Sequence, residues 1–178
     1  MPALDRVGTG VVVTTPSECE IALTRLFDAP RRLVFRTLTE PELVRRWMYG
    51  LDGWAFTVCE IDLRVGGAYR YVWHHDDGNE MGMRGEYREI LRPDRMVTTE
   101  RFDEPFDSGE SQVTTTLVEL ENRTTLTMTV LYASQAARDG AVASNMATGI
   151  EAGFERMEAL LAALLAEEKG PNGSGVTA

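Results

Sequence analysis

The chain has 178 residues, 43% of them hydrophobic and 26% charged, with a formal net charge of −10. This length suits one domain that buries roughly 70% of its unfolded surface, and no apolar run approaches the ~20 residues that span a bilayer. A polyanionic partner calls for a clustered cationic surface; here the arginines are scattered and Lys169 is the only lysine, so nucleic acid and anionic membrane are excluded as expected partners.

Residues 1–16 carry no lasting periodicity and read as a flexible leader. A basic segment followed by a long hydrophobic one is missing, so a signal peptide is not indicated and a cytoplasmic location is expected. Folded structure is expected over residues 17–167, beginning with CEIALTRLF, whose alternation places Ile21, Leu23 and Arg25 on one face of a strand. Asp28-Ala29-Pro30 stops that strand. Asp28 is suited to cap a helix and Pro30 to its first turn; Leu33, Val34, Phe35 and Leu38 then supply a short amphipathic helix. Thr39-Glu40-Pro41 repeats the signal, with Leu43, Val44 and Trp47 at helical spacing before Gly50 to Gly53 close the pair.

A long β region follows. WAFTVCEID reads as a strand, Gly66-Gly67 as a turn, and AYRYVWHH as a strand with Tyr69, Tyr71 and Trp73 on one face. Asp76-Asp77-Gly78-Asn79 is a strong hairpin signal because Gly and Asn tolerate positive φ. MGMRGEYREIL returns, Pro93-Asp94 turns, RMVTTERF follows, and SQVTTTLVEL pairs with TTLTMTVLYA across Glu121-Asn122-Arg123. Thr and Val dominate, as half-buried pleated surfaces favour.

The period then changes. Met146, Ile150, Gly153, Met157, Leu160 and Leu164 recur at intervals of four and three, one stripe of a long helix starting after Ser134 and stopping at Gly170-Pro171. Glu151, Glu155 and Glu158 are expected on the opposite face. Residues 168–178, rich in Gly, Pro and Ser, read as a disordered tail. The element order is one strand, two short helices, six strands and one long helix: an α+β helix-grip fold in which a curved antiparallel meander wraps a C-terminal helix, the only element with enough apolar stripe to cover the sheet.

The segments RLFDAPRRLVFRTLTEPELVRRWM, EIDLRVGGAYRYVW, GMRGEYREILRPDRMVTTERF and GFERMEALL resemble the activator-of-heat-shock-protein-ATPase homologue family of the START-like (SRPBCC) superfamily, over about residues 18–166. The resemblance implies the helix-grip fold and a cavity between sheet and helix, but no single reaction. Where the family commonly shows two adjacent tryptophans followed by Gly-Pro, this chain has Trp47-Met48-Tyr49-Gly50-Leu51, so the pocket end near that loop is expected to differ. An aromatic residue is common in the family's closing helix; here it is Phe154, beside Gly153.

Candidate pocket residues are Trp47, Tyr71, Met83, Met128, Met146, Ile150 and Gly153. Thioethers adapt to varied apolar shapes, aromatic rings stack on flat ligands, and helical glycines such as Gly149 and Gly153 leave space; the same residues equally suit a plain packed core. Tyr71 lines the pocket only if the Tyr69–Tyr71–Trp73 face is the concave one. Cys19 and Cys59 lack zinc or redox spacing. His74, His75, Asp76 and Asp77 are metal-ligand types at a hairpin tip, where adjacent strand residues diverge, so neither metal nor cofactor is expected. Arg84, Glu86, Arg88 and Glu100 are expected to pair across strands, and no catalytic residue is assigned. Three functions follow. The first is binding of a small hydrophobic or aromatic molecule. The second is a cyclase- or hydrolase-type enzyme, which requires a pocket side chain of perturbed pKa. The third, implied by the resemblance, is a co-chaperone stimulating a heat-shock ATPase, with a chaperone partner.

Overall fold

A computed structural model describes residues 10–50, 52–104 and 107–170; the first nine residues and those beyond 170 of the expected leader and tail lie outside them. The elements are β1 (Val12–Thr14), β2 (Glu20–Phe27), α1 (Arg31–Thr39), α2 (Pro41–Val44), β3 (Trp54–Ile61), β4 (Ala68–His75), β5 (Glu80–Leu91), β6 (Arg95–Phe102), β7 (Ser111–Leu120), β8 (Arg123–Leu131), α3 (Gln135–Ala143) and α4 (Met146–Lys169). They form one antiparallel eight-stranded sheet in the order β1-β2-β8-β7-β6-β5-β4-β3. Six strands run as a meander and β2 returns to pair with β8, so the helix-grip expectation holds.

Four local readings are corrected. Val12–Thr14, inside the expected leader, form an edge strand on β2, and the Val11 amide donates to Glu151 Oε1 (3.4 Å). The single long helix is two: Asn145, at φ 59°, breaks it between α3 and α4. Asp28 does not cap α1. Pro30 occupies that position without a side-chain cap, and the Glu119 carboxylate of β7 instead accepts from the Arg31 amide (2.8 Å), an anion at the positive helix end. Thr39 likewise ends α1 rather than starting α2, its hydroxyl donating back to the Phe35 carbonyl (2.7 Å).

Strand register decides which side chains face inward. Ile21, Leu23, Arg25 and Phe27 stand opposite Val130, Met128, Leu126 and Thr124; these lead across β7 to Val113, Thr115 and Leu117 and on to Met96 and Thr98 of β6. On the other wing Phe102 faces Met83, Tyr87 faces Thr98, and Tyr71 and Trp73 face Met83 and Met81. Tyr69, Tyr71 and Trp73 are therefore on the concave face, all buried. The glycine that matters here is Gly85. A Cβ there would run into the Thr99 carbonyl and the Tyr69 ring, so its hydrogen lets that ring lie across β5 and its hydroxyl donate to the Thr99 carbonyl (2.8 Å). Gly85→Ala is expected to destabilise the domain by about 1–3 kcal/mol through overpacking, read as a lower urea midpoint at unchanged m-value.

The concave face is closed unevenly by α4. Phe154, Met157, Leu160 and Leu161, in its middle and second half, are fully buried. Phe154 stands edge-on to Phe27 (centroids 5.6 Å apart, interplanar 80°) and 6.1 Å from the Trp47 ring. The seal is looser at the ends of the helix: Leu164 and Leu165 toward its C-terminal end are only partly buried, and toward its N-terminal end so are Ile150 of the helix and Phe56, Met81, Phe102 and Met128 of the sheet.

Candidate functional site

Under the first turns of α4 the inner face carries polar tips among aromatic rings. In register order, β6 contributes Glu100, beside Ser111 of β7; β5 contributes Met83 and Tyr87; β4 contributes Tyr71, beside Cys59 of β3. Alternation of Met96, Thr98, Glu100 and Phe102 along β6 turns the Glu100 carboxyl inward with apolar neighbours. Tyr69 and Tyr71 lie 5.2 Å apart by ring centroids, Tyr69 and Tyr87 5.8 Å, and Phe56 stacks on Trp73 at 5.0 Å.

The electrostatics of this cluster follow from burial. Burial pushes the Glu100 carboxyl up to about 7, because an ionised carboxylate loses hydration and gains no protein partner in return. Tyr71 is driven well above the ordinary phenol range, first by burial and then by Tyr87, Cys59, Tyr69 and Glu100 nearby. Burial also raises Tyr87 to about 12, and Tyr132 to about 12 with a further contribution from Glu100. All these phenols are neutral hydrogen-bond donors at pH 7. The Tyr69 hydroxyl is engaged at Thr99, that of Tyr132 at Met146 Sδ (3.4 Å), and the Ser111 hydroxyl donates to the Glu100 main-chain carbonyl (3.4 Å). The Tyr71 and Tyr87 hydroxyls and the Glu100 carboxyl are not among the fully buried unpartnered polar atoms of the described residues.

The expected cross-strand pairing of Glu100 is not found. Arg84 pairs with Asp103, as does Arg70 (2.5 Å), and Arg88 pairs with Glu86 of its own strand (2.9 Å). Of the seven proposed lining residues, Trp47, Tyr71 and Met83 lie in the central core cluster, with Met128 and Ile150 packed on its margin. Met146 touches the site through Tyr132. Gly153 faces the Trp47 ring, 3.5 Å from where a Cβ would stand, whereas Gly149 faces open space on the exposed side of α4. Trp47 lies just past α2 and is held by its indole N–H donating to the Thr37 carbonyl (2.8 Å). The histidines stay at the hairpin, His74 on Glu80 (2.7 Å) and His75 on Asp77 (2.8 Å). Among the described residues no group of three or more His, Cys, Asp and Glu side chains could hold a metal ion.

Two features escaped the residue patterns. Arg25, 4% exposed, reaches across to Glu158 of α4 (3.0 Å) with two of its N–H nitrogens unpartnered; its inward place between Leu23 and Phe27 was the available signal. Glu158 and Glu151 consequently lie along the side of α4 that faces β2 and β1, not on the opposite face. The other is a surface cleft of about 260 Å³ between the turn after α2 and α4, lined by Arg46, Tyr49, Arg156 and Leu160. Arg156 is largely spent there: it donates to the Trp47 carbonyl (3.2 Å) and to that of Tyr49, and its guanidinium lies 4.1 Å over the Tyr49 ring. A second recess, of about 220 Å³, sits at the sheet end around Thr99, Ser111, Gln112, Leu131 and Tyr132.

A family model described as Activator of Hsp90 ATPase homolog 1-like protein matches residues 28–162. The chain is similar to the crystal structure of a Rhodobacter sphaeroides protein at 33% identity, covering 86% of this chain and 99% of that one, with a TM-score of 0.82. It is also similar to protein CV1439 of Chromobacterium violaceum at 27% identity (80% and 96% covered, TM-score 0.68). Protein Ms6760 of Mycobacterium smegmatis, at 23% identity (85% and 96% covered, TM-score 0.73), shares the fold. No curated protein matches the sequence.

Proposed function

The chain belongs to the activator of Hsp90 ATPase homolog 1-like family, and from that premise we propose that it binds a small, largely hydrophobic molecule on the concave face, under the first turns of α4. One observation carries this reading: inward-facing apolar side chains under the first turns of α4 stay partly accessible, near the polar groups of Tyr71, Tyr87 and Glu100. A core sealed for stability alone would bury its Phe and Met side chains. A guest with an apolar body and one polar group suits both features. Covering ~300 Å² of its apolar surface supplies ~7.5 kcal/mol, and the loss of ligand freedom brings the net affinity to the micromolar range.

The test is titration with N-phenyl-1-naphthylamine, a neutral apolar fluorophore. Saturable, blue-shifted emission with a micromolar Kd is expected. Ile150→Arg, which sets a charge at the partly buried rim, is expected to weaken binding by roughly tenfold or more, about 1.4 kcal/mol. Arg46→Ala in the surface cleft leaves binding unchanged. Emission that climbs linearly with probe, or that is indifferent to Ile150→Arg, defeats the proposal.

A further inference from the structure

We infer that the surface cleft between the turn after α2 and α4 is a second binding site, one for a small planar carboxylate. The ring of the guest lies on Tyr49 and the alanines of α4, and its carboxylate is gripped by Arg46 beside the positive charge of Arg156. This site is separate from the concave face and does not depend on the reading given above.

Two pieces of chain build the cleft. Arg156, Ala159, Leu160 and Ala163 come round on one face of α4, at the spacing of helical neighbours. Leu160 is buried and forms the floor, while the two alanines leave flat room beside it. The facing wall is Arg46 and Tyr49, in the turn where the residues depart from the family's paired tryptophans. Tyr49 is 49% exposed, so its ring is open to a guest as well as to Arg156. The volume of about 260 Å³ falls below the ~300 Å³ at which sites for drug-sized ligands begin, which limits the guest to about one bicyclic ring.

Charge decides what kind of guest this is. The chain carries a net −10, and its arginines mostly neutralise its own carboxylates: Arg31, Arg32 and Arg36 of α1 reach Asp94, Glu168 and Glu40. The cleft breaks that habit, since the ion pairs of the described residues engage neither Arg46 nor Arg156. Arg156 is held by main-chain carbonyls instead. Its Nε donates to Ala152 (3.1 Å) and its Nη1 to Trp47 (3.2 Å) and to Tyr49. Carbonyl dipoles fix the guanidinium in place, and the stack 4.1 Å over the Tyr49 ring keeps it there, but neither cancels its unit charge. Arg46 is exposed, and its planar fork matches a carboxylate through two parallel N–H bonds. A planar acid therefore uses every part of the cleft. A neutral ring leaves two cations uncompensated, and a bare inorganic anion leaves Tyr49 and the alanines uncovered. The net negative charge of the chain repels extended polyanions, so the site selects a single small anion.

The probe is 2-naphthoate, titrated into the full chain and followed by the NMR shifts of the Tyr49 ring and the Arg156 Nε–H. Saturable shifts are expected at both, with a Kd below ~1 mM that rises as salt is added. 2-Naphthalenemethanol, which keeps the ring and lacks the charge, should bind at least ~10-fold more weakly. Arg46→Ala, at an exposed position, should weaken 2-naphthoate roughly fivefold, and Arg46→Glu should abolish saturation. N-phenyl-1-naphthylamine should stay bound throughout. Shifts that climb linearly to ~10 mM, an affinity indifferent to Arg46→Ala, or an alcohol that binds as tightly as the acid overturns the inference. So does displacement of the fluorophore, which would put the acid on the concave face. Failure of the fluorophore itself to bind defeats the concave-face reading alone, because Tyr49 and Arg156 report the cleft directly.

Discussion

Phe154→Ala is expected to remove about 3–5 kcal/mol of stability, the range for deleting a large buried aromatic. Phe154 is 2% exposed and meets three parts of the molecule at once: its own helix, Phe27 of β2, and the Trp47 ring of the segment after α2. Trp47 cannot move in to fill the gap, because its indole N–H is tied to the Thr37 carbonyl and its ring already covers Gly153. A site so hemmed in collapses poorly, which puts the loss toward the upper half of the range. In a domain of this size the midpoint temperature should drop by about 10 °C. Phe154→Leu, which keeps much of the volume, should lose distinctly less. Urea unfolding that gives a loss below about 1 kcal/mol for Phe154→Ala would mean that α4 is not clasped at this point.

The same contact marks where the tightly buried middle of α4 gives way to its looser first turns. Past Phe154 the helix presents Met157, Leu160 and Leu161, all buried. Before it, the helix presents Ile150 and Met146, with Gly149 turned outward, and there the sheet's own Phe56, Met81, Phe102 and Met128 remain partly accessible. Phe154 is the boundary. It anchors the helix against β2 and the segment after α2.

Much of this was legible in the residues, for reasons that differ by element. The six-strand meander was readable because each strand buries one face, and burial enforces alternation. The hairpin of β7 and β8 was readable because its connection needs positive φ, found at Glu121 and Asn122. What escaped lacks those signals. β1 has three residues, its two valines 45% and 44% exposed, so no core pressure patterned them. The break at Asn145 depends on one left-handed residue, and the helical period on either side conceals it. The concave side of β4 was undecidable locally because Val72 is buried as well as its neighbours Tyr71 and Trp73. Glu100 was expected to pair across strands, although the alternation of β6 puts it on the face of Met96 and Phe102. Its environment depends on β5 and β4, whose register is a long-range property, and on Gly85, which lets Tyr69 lie across the sheet beside it.

Glu100→Gln is expected to stabilise the protein above neutral pH and to change little in mild acid. The folded carboxyl titrates near 7, raised by burial from an ordinary value of 4.5, so between those values the native state holds a proton that the unfolded chain has released. Stability therefore declines as pH rises through this window. The group's contribution is intact below pH 4.5 and lost above about 7, a span corresponding to about 3 kcal/mol. Glutamine copies the shape of the protonated acid and never ionises, so the variant escapes that loss. Urea unfolding at pH 4 and at pH 8 should give a difference in unfolding free energy near zero at the first and about 3 kcal/mol in favour of the variant at the second. A pH-independent difference would show that the carboxyl is solvated. If stability does rise above neutrality, the wild type keeps an acidic side chain where a neutral one folds better, so its ionised form is held in the fold at a cost of that size.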